Sequence, residues 1–139
     1  MARGSWMRVN RMTTPNKVTH FEIPADNTTR AIAFYEKSFG WKISEYPGMD
    51  YWGVRTTPTD DKQRPSELGG INGGLTKRTA LAAHPSFTID VPSIDHALAN
   101  VEKNGGKTVQ PKTAIGEMGF VAAFKDSEGN VVGLWQARQ

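Results

Sequence analysis

The stretch Ala31-Ile32-Ala33-Phe34-Tyr35-Glu36-Lys37-Ser38-Phe39-Gly40-Trp41-Lys42-Ile43 has a second version later in the same chain. That version is Ala97-Leu98-Ala99-Asn100-Val101-Glu102-Lys103-Asn104-Gly105-Gly106-Lys107-Thr108-Val109. A strand-like segment that ends in acid, aliphatic residue and proline precedes each copy: Phe21-Glu22-Ile23-Pro24 and Ile89-Asp90-Val91-Pro92. An internal repeat of this kind predicts two copies of one supersecondary unit that pair within a single fold.

Each copy has the same predicted order of elements. Residues 18–23 alternate between apolar and polar and predict a strand, and Asp26, Asn27 and Thr28 offer N-cap oxygens for a helix that Gly40 ends. Further strands are predicted at 41–46, 51–56, 69–75, 86–91, 107–110, 119–125 and 130–136, with a second helix at 94–104 and a loop at 111–116. Each half is therefore β-α-β-β-β, and the fold class is α+β.

The chain of 139 residues has the length of one ordinary domain. We expect residues 1–16 to form an arm outside the fold, either disordered or not native to it. The single domain is then 17–139, with module one at 17–79 and module two at 84–139. The arm lacks the continuous apolar core of a signal peptide, and no apolar run is long enough to span a bilayer. We therefore expect a cytoplasmic protein with no membrane partner.

Charge and cysteine content exclude several classes of function. The net charge of +3 comes from Arg3, Arg8 and Arg11 in an arm without acids, whereas basic and acidic residues balance from Lys17 onward. The folded part thus has no basic excess for a phosphate backbone, and we expect no nucleic-acid partner. The absence of cysteine excludes disulfides, thiolate zinc sites and cysteine nucleophiles.

The helix signature at 30–41 and the closing hairpin Phe124-Lys125-Asp126-Ser127-Glu128-Gly129-Asn130-Val131-Val132-Gly133-Leu134-Trp135 resemble the vicinal oxygen chelate superfamily. Its members include glyoxalase I, bleomycin-resistance proteins and extradiol dioxygenases, and the resemblance covers about residues 18–136. It implies two β-α-β-β-β modules whose curled mixed sheets surround a cup, commonly in a homodimer. Enzymes of this superfamily hold a divalent metal in the cup through ligands from the first, fourth, fifth and eighth strands.

The metal positions that the resemblance implies carry few ligand-type side chains here. Gly133 stands where the last strand would supply a Glu. Ser86 occupies the position on the fifth strand, although a different anchor would put His84 there. The first strand offers Val18 or His20, and the fourth strand offers Asn72. A catalytic zinc or nickel site normally has three strong protein ligands. We therefore expect no metal cofactor, with a site built on His20 and His84 as the alternative.

His20 and Glu22 share one face of the first strand, so a neutral imidazole beside a carboxylate could act as a general base there. A satisfied polar pair at a dimer seam or at the rim of the cup is the other interpretation. Tyr51 and Trp52 are adjacent and face opposite sides, and the pattern leaves open which one enters the cup; we take Trp52 as the candidate. The ligand-binding candidates are Trp52, Asn72, Ser86, Thr88 and Trp135.

Two functions follow from these residues. In the first, the chain binds a small organic molecule in the cup, and Trp135 stacks on it. In the second, the chain is a glyoxalase-like enzyme in which His20 and Glu22 act as acid-base groups, or a metal-dependent lyase or dioxygenase that uses His20 and His84. The missing carboxylate at Gly133 favours the first.

Overall fold

A computed structural model describes residues 15–138, so residues 1–14 of the predicted arm lie outside the described part. The elements run in chain order as two β-α-β-β-β units, in agreement with the predicted fold class. The first unit contains β1 Val18–Ala25, α1 Thr28–Phe39, β2 Lys42–Glu45, β3 Tyr51–Arg55 and β4 Asn72–Lys77. The second contains β5 Ser86–Asp90, α2 Ile94–Lys103, β6 Lys107–Ile115, β7 Gly119–Lys125 and β8 Val131–Ala137.

All the strands belong to one mixed, curled and unclosed sheet in the order β2-β3-β4-β1-β5-β8-β7-β6. The two units join where β1 pairs with β5 in antiparallel register, with His20 opposite Thr88 and Glu22 opposite Ser86. The modules therefore pair within one chain, a question that the sequence left open. We call the β1–β5 junction the seam.

The helices pack against the same face of the sheet, which we call the helix face. In module two, Ile94 of α2 is fully buried in a cluster with Leu134 and Phe124. In module one, Leu75 is fully buried, and α1 contributes Ile32 and Tyr35 to its cluster. Burial of each large aliphatic side chain stabilises the fold by about 1.5–3 kcal/mol. No helix of residues 15–138 packs against the opposite face, and we call it the open face.

Local sequence signals explain where the helices begin and end. The Asn27 side chain accepts a hydrogen bond from the Arg30 backbone N–H, which caps α1, and Gly40 ends that helix with a φ of 71°. Ser93 caps α2 in the same way through the His96 N–H. No helix among the described residues is long and apolar enough to cross a membrane.

One predicted element is wrong. We expected a short strand at 107–110 and a loop at 111–116, but β6 continues to Ile115. Pro111 and Gly116 suggested the loop. Because β6 is an edge strand and pairs only with β7, Pro111 can lack a backbone N–H without the loss of a hydrogen bond to a second neighbouring strand. The register shifts between Gln110 and Thr113 absorb the irregularity that Pro111 introduces.

Candidate functional site

The open face holds a cluster of three polar side chains from β1 and β3. Nε2 of His20 lies 2.5 Å from Oε2 of Glu22 and 2.9 Å from the Tyr51 hydroxyl. The Tyr51 hydroxyl also donates a hydrogen bond to Oε2 of Glu22 at 2.7 Å. His20 and Glu22 keep 32% and 26% of their side-chain surface exposed, so the cluster is accessible from solvent.

Register explains why these three residues meet. His20 and Glu22 lie two apart on β1 and therefore project to the same face. Tyr51 is paired with Thr76 on β4, and Thr76 is paired with Pro24, which has the same parity on β1 as Glu22. Because directly paired residues project to the same side of a sheet, the Tyr51 ring extends toward Glu22 across β4.

A glycine beneath Tyr51 makes this approach possible. A Cβ at Gly74 would lie 1.8 Å from the Tyr51 hydroxyl oxygen. The sequence offered two interpretations of the glycine run at 69–74: space for a ligand, or close approach of two sheets. The structure shows that the space at Gly74 is filled by the chain's own phenol. The neighbouring Gly73 similarly accommodates the ring of Phe21 on the helix face.

With Glu22 ionised and the His20 ring neutral, the hydrogen bonds fix the tautomer of His20. An ionised carboxylate oxygen only accepts, so the short contact to Glu22 requires a hydrogen on Nε2 of His20. A neutral imidazole carries one N–H, which leaves Nδ1 as an acceptor with a free lone pair. Burial and the adjacent Glu22 carboxylate raise the pKa of Tyr51 well above its usual value, so the phenol stays protonated and serves as a donor.

The structure places three of the sequence candidates, Ser86, Thr88 and Trp135, on the same face of the sheet as this cluster. Thr88 and Ser86 are paired with His20 and Glu22 across the seam, so they share the open face. Gly133 is paired with Thr88, and Trp135 follows it at the same parity on β8, so the Trp135 ring is also on the open face. The sequence shows which residues of one strand share a face, but only the strand register shows which residues of neighbouring strands lie side by side.

Two candidates have other surroundings. Trp52 is paired with Leu75 and packs in the module-one core, so it faces the helices, and Tyr51 is the residue that faces the cluster. We had assigned Trp52 to the cup, and its placement corrects that choice. Asn72 lies beside His20 in the sheet, but its side-chain oxygen accepts hydrogen bonds from the backbone N–H groups of Thr56 and Thr57. Asn72 therefore fixes the loop after β3.

His84 lies in an exposed bend before β5. Within residues 15–138, no three His, Cys, Asp or Glu side chains converge as a metal ion would require. His20 and Glu22 contribute one imidazole and one carboxylate, which falls short of the three strong ligands of a usual catalytic zinc site. The donor set in the described part of the chain therefore does not fit the metal that this fold often carries.

The fold defines a class of protein: paired β-α-β-β-β modules in one curled sheet. The family model of the Glyoxalase/Bleomycin resistance protein/Dioxygenase superfamily matches residues 17–134, and the chain belongs to this superfamily. The resemblance that the sequence suggested is thereby confirmed. A glyoxylase-like domain-containing protein of Didymella fabae is 28% identical over 124 residues, which cover 86% of this chain and 92% of that protein.

Solved structures agree with the fold. The hypothetical protein BH1468 from Bacillus halodurans C-125 matches with a TM-score of 0.61 and 16% identity, covering 91% of this chain and 97% of its own. Methylmalonyl-CoA epimerase from Mycobacterium tuberculosis matches with a TM-score of 0.60 and 14% identity, covering 88% of each chain. At these identities the likeness shows the shared architecture and leaves the reaction of this chain to its own residues.

Proposed function

We propose that this chain binds a small organic molecule on the open face, at the seam, in contact with His20 and Glu22. The observation that carries the proposal is the convergence of His20, Glu22 and Tyr51 on a sheet face that neither of the two described helices covers. A few polar groups that converge among apolar ones are typical of small-molecule sites. The hydroxyls of Ser86 and Thr88 lie on the same face and supply further polar contacts.

The arrangement favours binding over a purely structural role for two reasons. The cluster uses only Oε2 of Glu22 and only Nε2 of His20, so Oε1 and Nδ1 have no hydrogen bond within residues 15–138. Both side chains also remain partly exposed, whereas a structural pair in a core would be sealed by neighbouring side chains. Free acceptors on an accessible surface are what a ligand with hydrogen-bond donors requires.

A metal-free acid-base enzyme is the second candidate function. Its support is the His20 imidazole, whose Nε2 donates to Glu22 and whose Nδ1 is free to accept a proton. In such an enzyme the Glu22 carboxylate would stabilise the imidazolium that forms. The metal-dependent alternative needs a ligand beyond His20 and Glu22, and exposed His84 does not join them in a three-ligand group in the described part of the chain.

A ligand screen with matched histidine variants tests the binding function. Compounds that stabilise the wild type in a thermal-shift screen should do so much less in His20→Ala, because the ligand loses its contact at the seam. His96→Ala removes an exposed histidine from α2 and should behave as the wild type. Equal stabilisation of all three proteins would place the ligand elsewhere and contradict the proposal.

Solvent exchange separates the two candidate functions. An enzyme that moves protons through His20 should incorporate deuterium from solvent into a bound compound with an acidic C–H, and His20→Ala should slow this by about 100-fold or more. A binding protein should show saturable affinity without exchange above the buffer rate. The resemblance also implies a homodimer, which we retain as a proposal that analytical ultracentrifugation of the full chain would test.

A further inference from the structure

In the neutral form of His20, the free polar atoms of the His20 and Glu22 side chains accept hydrogen bonds and do not donate them. Nδ1 of His20 and Oε1 of Glu22 are both acceptors once Nε2 carries the hydrogen that bonds to Oε2. Tyr51 donates its only hydroxyl hydrogen to Glu22. A bound molecule must therefore bring the hydrogens to this end of the site.

The other end of the site carries mainly small and apolar side chains, with Asp90 as the one acidic residue in these two rows. Directly paired residues form a row across the sheet, which runs from His20 to Thr88 on β5, Gly133 on β8 and Ala123 on β7. The next row along β8 and β7 carries Trp135 paired with Val121. Gly133 lies two strands from His20, which is about 10 Å at the usual spacing of neighbouring strands. The outer edge of the Trp135 ring lies over Gly119, one row beyond Val121, so a flat apolar body that covers the small residues would extend along β7 toward this ring.

The distribution of charge opposes an anion at the seam. Glu22 provides a negative charge beside His20, and Asp90 is paired with Trp135 on the same face. Among residues 15–138, the strand cations at this parity are farther away: Arg55 lies two strands from β1, Lys125 lies three strands from it, and Lys42 and Lys107 lie on the edge strands beyond them. A carboxylate or phosphate head at His20 would therefore meet the Glu22 carboxylate without a cation from a neighbouring strand of the described sheet to compensate.

We infer that the site selects neutral or cationic molecules with an N–H or O–H head and a flat, two-ring apolar body, and that it discriminates against anions. This inference rests on the proposed binding function and names the ligand class of the same site. Aromatic amines and phenols have this chemistry. Their head donates to Nδ1 of His20 or Oε1 of Glu22, and their rings cover Gly133 and Ala123 as far as Trp135.

Three probes with the same ring system test the inference: naphthylmethylamine, naphthol and naphthoate at neutral pH. Titration of the full chain, followed through the indole N–H signal of Trp135, gives each dissociation constant. We expect the amine and naphthol to bind at least about tenfold more tightly than naphthoate, because a hydrogen bond to a charged group is a strong one and the carboxylate repels the anion.

Two variants locate the source of the selectivity. Glu22→Gln removes the charge and should reduce the difference between the amine and naphthoate to within about threefold. Tyr51→Phe removes a hydrogen bond but retains the carboxylate, so it should preserve the preference for the amine. Tyr51→Phe is also the control for disruption of the cluster, since both variants lose a contact within it. A loss of selectivity that came from misfolding would appear in both variants.

The outcomes distinguish failure of the inference from failure of the proposed function. If naphthoate binds as tightly as the amine, or if Glu22→Gln keeps the full preference, the charge selectivity is wrong while small-molecule binding stands. If none of the three probes shifts the Trp135 signal, both the ligand class and the binding function at this face are overturned. Preference for the amine that disappears in Glu22→Gln supports both.

Discussion

The phenol of Tyr51 lies directly over Gly74, close enough that a Cβ at Gly74 would approach the Tyr51 hydroxyl oxygen to 1.8 Å. The missing side chain thus permits the hydrogen bonds that join β3 to Glu22 on β1. A backbone position on the neighbouring strand β4, directly paired with Glu22, therefore sets the geometry of the whole cluster.

Gly74→Ala should displace the Tyr51 ring and break its hydrogen bonds. We expect the free energy of unfolding to fall by about 1–3 kcal/mol, as for other cases of overpacking. Chemical denaturation measures this loss. In a Tyr51→Ala background the same Gly74→Ala substitution should cost much less, because the clashing ring is gone. An equal cost in both backgrounds would show that the ring does not restrict Gly74.

Tyr51→Phe should lower the free energy of unfolding by about 1 kcal/mol at neutral pH, because Glu22 loses a donor. The effect should depend on pH in a defined direction. The pKa of Tyr51 is raised on folding from 10.0, so its stabilisation is complete below the unfolded-state pKa and declines as pH rises above it. The advantage of the wild type over Tyr51→Phe should then shrink by about 1.4 kcal/mol per pH unit.

Denaturation at about pH 9 and about pH 11 tests this dependence, because the unfolded phenol ionises between those values. Tyr35→Phe is the matched control, since Tyr35 stacks on Trp41 in the module-one cluster on the helix face and makes no bond to Glu22. It should retain the pH dependence of the wild type. A constant difference between wild type and Tyr51→Phe over this range would contradict the burial of a protonated phenol.

The neutral His20 imidazole should carry its hydrogen on Nε2. Long-range proton–nitrogen NMR spectra distinguish a protonated ring nitrogen from one with a free lone pair. We expect Nε2 to give the signal of a protonated nitrogen and Nδ1 that of an acceptor, because Glu22 accepts the hydrogen from Nε2. The opposite tautomer would remove the free acceptor on which the proposed ligand contact depends.

Trp52 and Trp135 should respond differently to the same substitution. Trp135→Leu should weaken naphthol binding by about three- to tenfold, the value expected for loss of an aromatic contact. Trp52→Leu should lower the melting temperature, because Trp52 packs in the module-one core, but should leave naphthol affinity within about twofold. A larger effect of Trp52→Leu on affinity than of Trp135→Leu would reverse our assignment of the two faces.

Much of the fold was readable from the repeat. The helices Thr28–Phe39 and Ile94–Lys103 have apolar positions at helical spacing, and for the first helix the expected caps, Asn27 and Gly40, stand at the ends that the structure shows. The extension of β6 was not readable, because Pro111 signals a loop unless the strand is known to lie at an edge of the sheet.

The candidate site was only partly readable. His20 and Glu22 are two apart on one predicted strand, so their shared face follows from the period of a strand. Tyr51 could not be chosen over Trp52, because adjacent residues on a strand project to opposite faces and the sequence does not say which face carries the helices. Only the register of β3 on β4 resolves this. Gly74, over which the Tyr51 ring lies, provides the space that this choice of face requires.

The most direct test of the proposed binding function is a map of backbone amide shifts upon addition of naphthol to the full chain. Binding at the open face predicts that the largest changes cluster on β1, β5 and β8 around His20, Thr88 and Gly133, and that they saturate with one dissociation constant. Changes confined to the helices, or no saturable change at all, would contradict a small-molecule site at the seam.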